Sequence, residues 1–494
     1  MSKVFLLNPP ISARERSGAL ASAIGRSMPY GLISLAAVLR KSGYEIDFFD
    51  AAAQGVGIEE TVERILSGSP DYLGISTVTI SVDRSGKIAQ KIRARNPKVK
   101  ILVGGAHMSS APEETMKRFP DFDIGVIGEG EYSILELLKA LEGGLPIREI
   151  PGIIYREGGK TVLTAKRPPI MNLDALPMPA WDLIPDFAQV YRASASSYLR
   201  LPSTTLVTSR GCSARCIFCN SRMLFGDFRS FSADYVLEQI RHLKSKYHIN
   251  DISIYDDNFL ISRDRVAKIC EGILREKINI TWSCYSRVDQ GDLELFRLMK
   301  KAGCWLISYG IESGCQRILN LLNKRVTLEQ IEKTVTLTKK AGLRVRGFFM
   351  IGHFGETRES ILQTIDFMRK IPLDDFNYTV FTPMPGTPAY NIADRYGKFD
   401  RTWSKMNFQY MVFVPNGLTA DEIERYSRLG YRKFYFRARI LIPYLLLLLT
   451  HPTGIRRLFH GLQAVLLRVF AKKHCTPVEE ALVASGSGDF CPPA

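Results

Sequence analysis

Apolar, strand-like runs alternate with amphipathic helical segments along most of the chain, and this alternation restricts the fold more than any other feature. In the first third of the chain, buried-strand patterns occur at 3–7, 44–49, 71–77, 99–103 and 123–126. Helical patterns at 30–41 and around 59–66 lie between them, and a loop is predicted at 50–55. Strands that alternate with helices pair in parallel and are covered by helices on both faces. We therefore predict a doubly wound, Rossmann-like α/β domain.

A second series of strands and helices runs from about residue 199 to residue 395. Helical patterns that each lead into an apolar run lie at 233–246, 266–276, 293–302, 328–341 and 358–370. Together with the run TTLVTS that opens the series, six strands are accounted for. This order is that of a partial (β/α) TIM barrel, whose active-site groups stand at the carboxyl ends of the strands.

The 494 residues are too many for one small core and predict two or three domains. We expect a Rossmann-like domain at 1–145, a linker with a short hairpin and a proline-rich stretch at 146–198, and the barrel at 199–395. A helical C-terminal region is predicted at 396–475, and the tail at 476–494 is expected to be disordered.

Composition excludes several broad classes of protein. With 46% hydrophobic and 23% charged residues, neither a wholly disordered chain nor a polytopic membrane protein is expected. The N-terminal MSKVFLLNPP does not have the pattern of a secretory signal, and nine cysteines are too few for a disulfide framework. We therefore expect a cytoplasmic protein whose thiols stay reduced and can bind metal.

Much of the net charge of +16 lies near the C-terminus, where residues 431–473 include nine Lys or Arg and no acidic residue. Within 434–473, an apolar run too short to span a bilayer precedes a basic amphipathic segment. Two interpretations remain open, a helix in peripheral contact with the inner membrane face and a helix docked on the barrel. Nucleic-acid binding is not expected, because aromatic stacking platforms are not interleaved with the arginines.

Three cysteines follow the first predicted barrel strand with the spacing CxxxCxxC: Cys212, Cys216 and Cys219. Three thiolates can bind three iron atoms of a 4Fe-4S cube and leave the fourth iron open to an exchangeable ligand. A cluster that only stores electrons would need a fourth cysteine close by, and a structural zinc site would need two CxxC pairs. Neither pattern is present here, and the six other cysteines are expected to be buried apolar residues.

This motif, with Phe218 directly before its last cysteine, resembles the signature of the radical S-adenosylmethionine superfamily. The resemblance implies that the three cysteines are catalytic and that the cluster reductively cleaves S-adenosylmethionine to a 5′-deoxyadenosyl radical. An electron donor such as flavodoxin or ferredoxin is implied as a partner. The residues implied to bind S-adenosylmethionine are Phe218 in the cysteine motif, Asp256 and Asp257 at the methionine amino group, Arg287 at its carboxylate, Glu312 and Ser313 on the ribose side, and Gly352 in the adenine segment.

Simpler structural roles compete with some of these assignments. Asp257 or Asn258 could cap the following helix, and for Asn258 the cap is the favoured interpretation. Glu312 could form an ion pair with Arg317. In the adenine segment, His353 and Phe354 replace a Leu-Pro pair that is common in the superfamily.

The carboxyl ends of the predicted N-terminal strands are rich in glycine and hydroxyl groups and predict one ligand crevice. Stretches of this part of the chain, namely NPP, PYGLISLAAVLRKSGYEIDFFD, VGGAH and GEGE, resemble the cobalamin-binding domain of one branch of the superfamily. The residues implied to bind cobalamin are Asn8, Gln54, Gly55, Ser76, Thr77, Thr79, Gly104, Gly105, His107, Gly128, Glu129 and Gly130. For any single glycine, a tight turn is an equally good explanation.

Cobalamin domains that supply a histidine to cobalt carry the motif DxHxxG after their second strand. Asp50 and Gly55 match this spacing here, but Ala52 stands at the histidine position. Alanine cannot bind cobalt, so cobalamin is expected to bind without this ligand. His107 is considered as a neighbour of the corrin, although a hydrogen-bonded loop histidine is the favoured role.

For function, the resemblance implies methylation of an unactivated carbon, or of phosphorus, in a small-molecule or lipid-like substrate. Relatives of similar architecture instead close rings or rearrange skeletons, as the anaerobic magnesium-protoporphyrin ester cyclases do. A third possibility is a corrinoid and iron-sulfur binding protein without catalytic turnover. Nothing in the barrel sequence separates methylation from cyclisation, and substrate identity has no generic sequence code.

Overall fold

Two parallel β-sheets, one in each half of the chain, organise the protein in a computed structural model. The structure describes residues 2–12, 15–16, 25–26, 28–184, 190–191, 197–408, 410–440 and 442. The predicted basic segment at 434–473 therefore lies almost wholly outside the described residues, as does the predicted tail at 476–494.

The first sheet contains the five predicted strands, β1 (Lys3–Asn8), β2 (Glu45–Asp50), β3 (Tyr72–Ser76), β4 (Lys100–Gly104) and β5 (Ile124–Val126). They are parallel in the order β2-β1-β3-β4-β5, as expected for a doubly wound sheet. The longer helices of this half are Tyr30–Lys41, Ile58–Ser67, Val82–Arg95 and Gly130–Glu142. Short helices lie at Ala51–Gln54, Ala106–Ser110 and Pro112–Arg118.

Two local predictions in this half were wrong. The predicted loop at 50–55 contains the helix Ala51–Gln54, because the Asp50 carboxylate caps it by accepting a bond from the Ala53 N–H at 2.9 Å. The predicted linker hairpin, β6 (Ile153–Glu157) and β7 (Lys160–Leu163), instead joins the first sheet, where β6 pairs antiparallel with β5. Burial of Ile153, Ile154 and Tyr155 fixes it there, so the domain extends beyond residue 145.

In the second half, β8 (Ser203–Leu206) precedes a small antiparallel pair, β9 (Ser209–Arg210) and β10 (Arg229–Ser230). The remaining barrel strands are β11 (Asp251–Ile254), β12 (Thr281–Arg287), β13 (Cys304–Glu312), β14 (Arg344–Ile351) and β15 (Asp375–Val380). All six predicted strands are confirmed in one parallel sheet with the order β15-β14-β13-β12-β11-β8. Since β8 and β15 remain as edges, the barrel is partial.

The barrel helices confirm the five predicted helical segments, at Ala233–Tyr247, Arg263–Arg275, Leu293–Lys301, Leu328–Lys340 and Arg358–Lys370. Shorter helices lie at Ser221–Phe225, Gln316–Leu321 and Pro388–Ile392. In the part of the chain that the structure describes, no helix is both long and apolar enough to cross a bilayer.

The region after the barrel is not helical throughout, contrary to the prediction for 396–475. It begins with the antiparallel strands β16 (Gly397–Phe399) and β17 (Phe413–Pro415), and its helix starts only at Ala420 (Ala420–Tyr435). Trp403, between these strands, is buried in the core of the first domain together with Met406 and Val412. The helix contributes Tyr431 and Phe434 to the barrel core, so this region packs against both halves.

Trp403 is 1% exposed and lies edge-on to His107, with ring centroids 4.3 Å apart. Trp403→Ala should therefore destabilise the protein by about 3–5 kcal/mol, the usual cost of removing a large buried aromatic side chain. Chemical denaturation measures this loss. Phe436→Ala is the matched control, because Phe436 is 54% exposed, and its effect should stay within about 0.5 kcal/mol. Equal effects of the two changes would contradict this account of the C-terminal region.

Candidate active site between the two sheets

The loop that carries the three cysteines is held by main-chain contacts to distant parts of the barrel. Ile217 N donates to Leu322 O at 3.1 Å, and Ile217 O accepts from Ala389 N at 3.0 Å. The loop starts at Gly211, whose φ of +78° and lack of a Cβ are both required, because a Cβ would lie 2.5 Å from Asp227 O. The loop geometry is thus set by tertiary contacts on both sides of the motif.

The three thiols lie close enough to one another to influence each other's ionisation. Burial raises the pKa of Cys212, and desolvation by the surrounding protein raises the pKa of Cys219 to about 12, although that residue reaches solvent. Both groups are therefore neutral thiols at neutral pH unless a metal centre binds them as thiolates. Such a thiol set fits a metal centre and would be costly to ionise without one.

Among the described residues, no three His, Cys, Asp or Glu side chains converge on a single ion position. In a 4Fe-4S cube each thiolate would bind a different iron atom. The three-cysteine ligand set stays a prediction.

Two cationic side chains lie beside the motif. The Arg287 Nη1 is 3.7 Å from the Cys216 Sγ, and Asp289 holds the same guanidinium with two bonds of 3.0 and 2.9 Å. Lys324 is buried and pairs with Glu312 at 2.8 Å. Burial opposes the charge on Lys324, but Glu312 and then Cys216 outweigh it, so its pKa is raised. Sequence reasoning missed Asp289 and Lys324, which belong to no motif.

The two neighbouring aspartates, which were expected to share one role, have different environments. Both oxygens of the buried Asp256 accept bonds from Thr208 and Ser209, with donor distances of 2.6 to 3.1 Å from two N–H and two hydroxyl groups. Asp256 therefore anchors the chain just before the cysteine loop, and its expected contact with a methionine amino group stays a prediction. Asp257 instead lines the cavity between the sheets and accepts a bond from Ser221 Oγ at 2.6 Å.

Asn258 stands at the N-cap position of the short 3-10 helix Phe259–Ile261, as the sequence favoured, but its side chain makes no capping bond there. Its Oδ1 accepts bonds from the Ser286 hydroxyl at 2.7 Å and from the Arg287 N–H at 3.1 Å. It therefore ties the carboxyl ends of β11 and β12 together and fixes the start of the Arg287 side chain.

The remaining residues expected near the ribose and adenine form a tightly bonded strand end. Glu312 has a φ of +70° at an irregularity between β13 and β14, and its partner is Lys324 instead of Arg317. The Ser313 hydroxyl bonds Thr364 at 3.0 Å and accepts from the Cys315 N–H, so Ser313 joins the strand end to a helix. Its expected place on the ribose side stays a prediction.

Gly352 adopts a φ of +86° in the expected adenine segment, and Glu356 accepts from its N–H at 2.5 Å. Burial raises the pKa of Glu356 to about 8. Phe218, from the cysteine motif, packs against a neighbouring apolar cluster that includes Met350 and Phe354.

A cavity of about 370 Å³ lies between the two halves of the molecule. From the first domain it is lined by Ser76, Gly104, Gly105, Gly128, Glu129 and Gly130, all of them predicted to bind cobalamin. From the second half it is lined by Arg210, Leu224, Phe225, Tyr255 and Asp257. A Cβ on Gly105, which has a φ of +94°, would lie 2.6 Å from Thr77 O, so this position of the cavity wall tolerates only glycine. Apolar side chains, among them Leu35, Val126 and Ile134, complete this wall beside the glycine loops.

Six other residues predicted for cobalamin do not line this cavity: Asn8, Gln54, Gly55, Thr77, Thr79 and His107. Asn8 donates to Asp50 at 2.8 Å, and Thr77 donates to Gly104 O at 2.8 Å. Gln54 is exposed at the end of a short helix that Gly55 terminates. Each of these four residues stands at or next to the end of a strand or a helix, outside the cavity lining.

His107 lies in the core and does not line the cavity. It is fully buried against Trp403, its Nδ1 is 3.3 Å from the Thr79 hydroxyl, and burial lowers its pKa to about 3. The sequence favoured a hydrogen-bonded loop histidine. His107 is hydrogen-bonded as expected, but it lies on the short helix Ala106–Ser110.

Four buried charges connect the cavity to the cysteine loop. Arg210, two residues before Cys212, pairs with Glu129 at 2.9 Å and with Glu131 at 2.5 Å, and Arg229 pairs with Glu129 at 2.9 Å. All four side chains are at most 10% exposed. Burial alone would raise the pKa of Glu131, but Arg210 outweighs it and the pKa is lowered. We call Glu129, Glu131, Arg210 and Arg229 the interdomain charge cluster.

Comparison with known proteins agrees with this geometry. Residues 206–368 match the Radical SAM superfamily, and residues 16–138 match the B12 binding domain. The chain is 33% identical over 444 residues to "uncharacterized methyltransferase PH0819" of Pyrococcus horikoshii. This match covers 89% of this chain and 94% of that protein. The chain belongs to the B12-binding radical S-adenosylmethionine enzymes.

Two further matches extend over most of this radical S-adenosylmethionine enzyme. An anaerobic magnesium-protoporphyrin IX monomethyl ester cyclase of Rubrivivax gelatinosus is 26% identical, covering 85% of this chain and 76% of the cyclase. The solved structure of the cobalamin-dependent radical enzyme OxsB, with aqua-cobalamin and S-adenosylmethionine bound, superposes with a TM-score of 0.73 at 19% identity. That match covers 95% of this chain and 72% of OxsB and shows that the two share a fold.

The cysteine motif generates a direct prediction. After anaerobic reconstitution, Cys216→Ala should lose most of the iron and sulfide that the wild-type enzyme retains, because a cube cannot be held stably by two thiolates. Cys270→Ala is the matched control, since Cys270 is buried in the barrel core away from the loop. Iron and sulfide analysis, together with electron paramagnetic resonance of the reduced protein, measures the cluster content of both variants. Wild-type iron content in Cys216→Ala would contradict the assignment.

The interdomain charge cluster generates a second prediction for this site. Arg210→Met should destabilise the enzyme by about 3–5 kcal/mol, because it leaves the buried Glu131 carboxylate without its cation. Adding Glu131→Gln should restore part of the loss, since the uncompensated charge is then removed as well. Arg263→Met, at an exposed ion pair with Asp292, should cost much less. Denaturation curves that do not distinguish Arg210→Met from Arg263→Met would exclude this role.

Proposed function

We propose that this enzyme reductively cleaves S-adenosylmethionine at a 4Fe-4S cluster held by Cys212, Cys216 and Cys219 and, with cobalamin, methylates an unactivated carbon. When bound, the cluster supplies the electron that breaks the sulfonium carbon-sulfur bond, and the corrinoid carries the methyl group. One observation carries the proposal: the glycine loops of the B12-binding domain and Asp257, beside the cysteine motif, line the same cavity. Both cofactors and a substrate can therefore meet at one place.

On the barrel side, different residues are proposed to bind different groups of S-adenosylmethionine. Asp257 is the carboxylate that faces the cavity, and it is complementary to a methionine ammonium group. Arg287, aligned by Asp289 and next to Cys216, offers a guanidinium edge to the methionine carboxylate. Asp256 positions this site through Thr208 and Ser209.

The neighbouring cations also favour the charged state of a thiolate cluster. Arg287 and Lys324 place positive charge beside Cys216, which stabilises the negative charge of an iron cube and its ligands. The Gly352–Glu356 turn supplies a polar main-chain edge for the adenine, since its geometry is locked by the Glu356 carboxyl group.

On the other side of the cavity, Gly104, Gly105, Gly128 and Gly130 form the surface for the corrin face. Ala52 cannot bind cobalt from below, and His107 is turned into the core against Trp403. The proposal therefore has cobalamin bound without a histidine from either position. The substrate class proposed is a small molecule or a lipid-like compound, and the electron donor is of the flavodoxin or ferredoxin type.

Methylation is proposed ahead of cyclisation because the relative with the higher identity, at 33%, is named a methyltransferase. Cyclisation or skeletal rearrangement is the second candidate, favoured by the 26% identity to a cyclase over most of this chain.

Turnover of S-adenosylmethionine tests the proposal and separates the candidates. The reconstituted, reduced enzyme loaded with hydroxocobalamin should form 5′-deoxyadenosine, and it should also form S-adenosylhomocysteine that depends on the corrinoid, because each methyl transfer leaves that product. Chromatography with mass spectrometry measures both, and Cys216→Ala should form no 5′-deoxyadenosine. Formation of 5′-deoxyadenosine alone, also with candidate substrates present, would favour the cyclase. Absence of both products would leave only a non-catalytic binding protein.

A further inference from the structure

Strand alternation identifies the side chains that share a barrel face with the cysteine loop. Arg287 reaches Cys216 from β12, and Tyr285, two residues earlier on the same strand, projects from the same face. On β13, Ser308 pairs with Tyr285 and Gly310 pairs with Arg287, and Gly310 also pairs with Phe348 on β14. Tyr285 and Phe348 therefore flank β13 on the face that looks toward the cluster site.

The two rings meet across β13 because the residues between them are small. Strands two apart in a sheet are separated by roughly 9.6 Å, twice the usual spacing, yet the Tyr285 and Phe348 ring centroids are 5.8 Å apart and nearly parallel at 16°. Ser308 and Gly310 leave the space for this stack. A Cβ on Gly310 would lie 2.6 Å from a Glu312 carboxylate oxygen and 3.1 Å from the Lys324 Nζ, so a side chain there would displace this ion pair.

A third ring extends this surface into the cavity between the two sheets. Tyr255 lies 4.9 Å from Tyr285 between centroids, is 41% exposed and lines the cavity opposite the glycine loops. Tyr285 and Phe348 are also only partly buried, in a barrel whose other aromatic rings are mostly in the core. Tyr255, Tyr285 and Phe348, which we call the aromatic wall, form one continuous ring surface from the barrel interior to the cavity.

Most charged groups beside the aromatic wall are paired with opposite charges. Arg287 pairs with Asp289, Glu312 with Lys324, and Arg346, on β14 below Phe348, with Asp375 at 2.7 Å. Asp257, which lines the cavity with Tyr255, is held by the Ser221 hydroxyl and, like Arg287, is assigned to S-adenosylmethionine in the proposed function. A substrate core that lies on the wall therefore meets mainly ring faces, and this favours a neutral, flat group because ring stacking is strong for planar partners.

We propose that the aromatic wall binds a flat aromatic or conjugated part of the substrate by stacking, between the cysteine loop and the glycine loops. This inference rests on the proposed function and specifies its substrate class. The wall holds the reacting carbon where S-adenosylmethionine and the corrinoid site both have access to it. Tyr285 and Phe348 are the inner contacts, and Tyr255 is the outer contact next to the cavity.

Equilibrium binding of a neutral probe tests the proposal on the reconstituted enzyme. 1-Naphthol is the planar probe, and decahydro-1-naphthol, of the same skeleton but saturated, is its control. The wild-type enzyme should bind 1-naphthol at least several-fold more tightly than the saturated compound. Tyr285→Leu should weaken binding of 1-naphthol by about two- to tenfold, the worth of one aromatic pair, whereas Tyr285→Phe should keep it within about twofold.

Three results would overturn the aromatic wall. The first is equal binding of the planar and saturated probes, and the second is unchanged 1-naphthol binding in both Tyr285→Leu and Phe348→Leu. The third is weaker binding of S-adenosylhomocysteine in Tyr285→Leu with 1-naphthol unaffected, because the rings would then hold adenine. Iron content and circular dichroism confirm that each variant is folded and loaded.

The wall and the proposed function can fail separately. If the wild-type enzyme forms 5′-deoxyadenosine but any of these three results is found, only the aromatic wall is excluded. If the wild-type enzyme forms neither 5′-deoxyadenosine nor S-adenosylhomocysteine, the proposed function itself fails.

Discussion

The interdomain charge cluster is the interaction on which the arrangement of this enzyme depends. Glu129 and Glu131 belong to the turn that opens the last helix of the B12-binding domain, and Arg210 lies two residues before the first cysteine of the motif. Two carboxylates and two guanidiniums cancel one another inside a buried site, where any one of them alone would be strongly unfavourable. The position of the cysteine loop relative to the glycine loops is therefore fixed by charge balance as well as by apolar packing.

The cavity beside this cluster follows from the residues that do not fill it. Gly104, Gly105, Gly128 and Gly130 place no side chain of their own in the cavity, while the small residues Ser308 and Gly310 leave space in the barrel between two rings. Because glycine has no Cβ, its main chain can lie directly at the cavity. Main-chain edges of one domain and ring faces of the other therefore border the same space. Parallel strands bring these groups together, since all their carboxyl ends meet at one edge of each sheet.

Electrostatics around the cysteine motif suit a metal-bound state. Protein surroundings raise the pKa of Cys212 and Cys219, and Arg287 stands 3.7 Å from the Cys216 sulfur. Without iron, the buried surroundings disfavour the thiolate form of Cys212 and Cys219. With iron bound, the thiolates are held by the metal, and the nearby cations stabilise the negative charge of the cluster. The same cations are anchored by Asp289 and Glu312, so their positions are set before any ligand arrives.

The sequence by itself determined the two α/β halves, the eleven parallel strands that were predicted, and the cysteine motif. These features depend on the local hydrophobic period and on motif spacing, and both can be recognised within a short segment of the sequence. Only the tertiary structure decided that Asp256 is an anchor while Asp257 faces the cavity, because neighbouring residues point to different sides of the chain. It also decided that His107 packs on Trp403 and that Lys324 pairs with Glu312. Such partners lie far apart in sequence, and no local pattern records which of them meet.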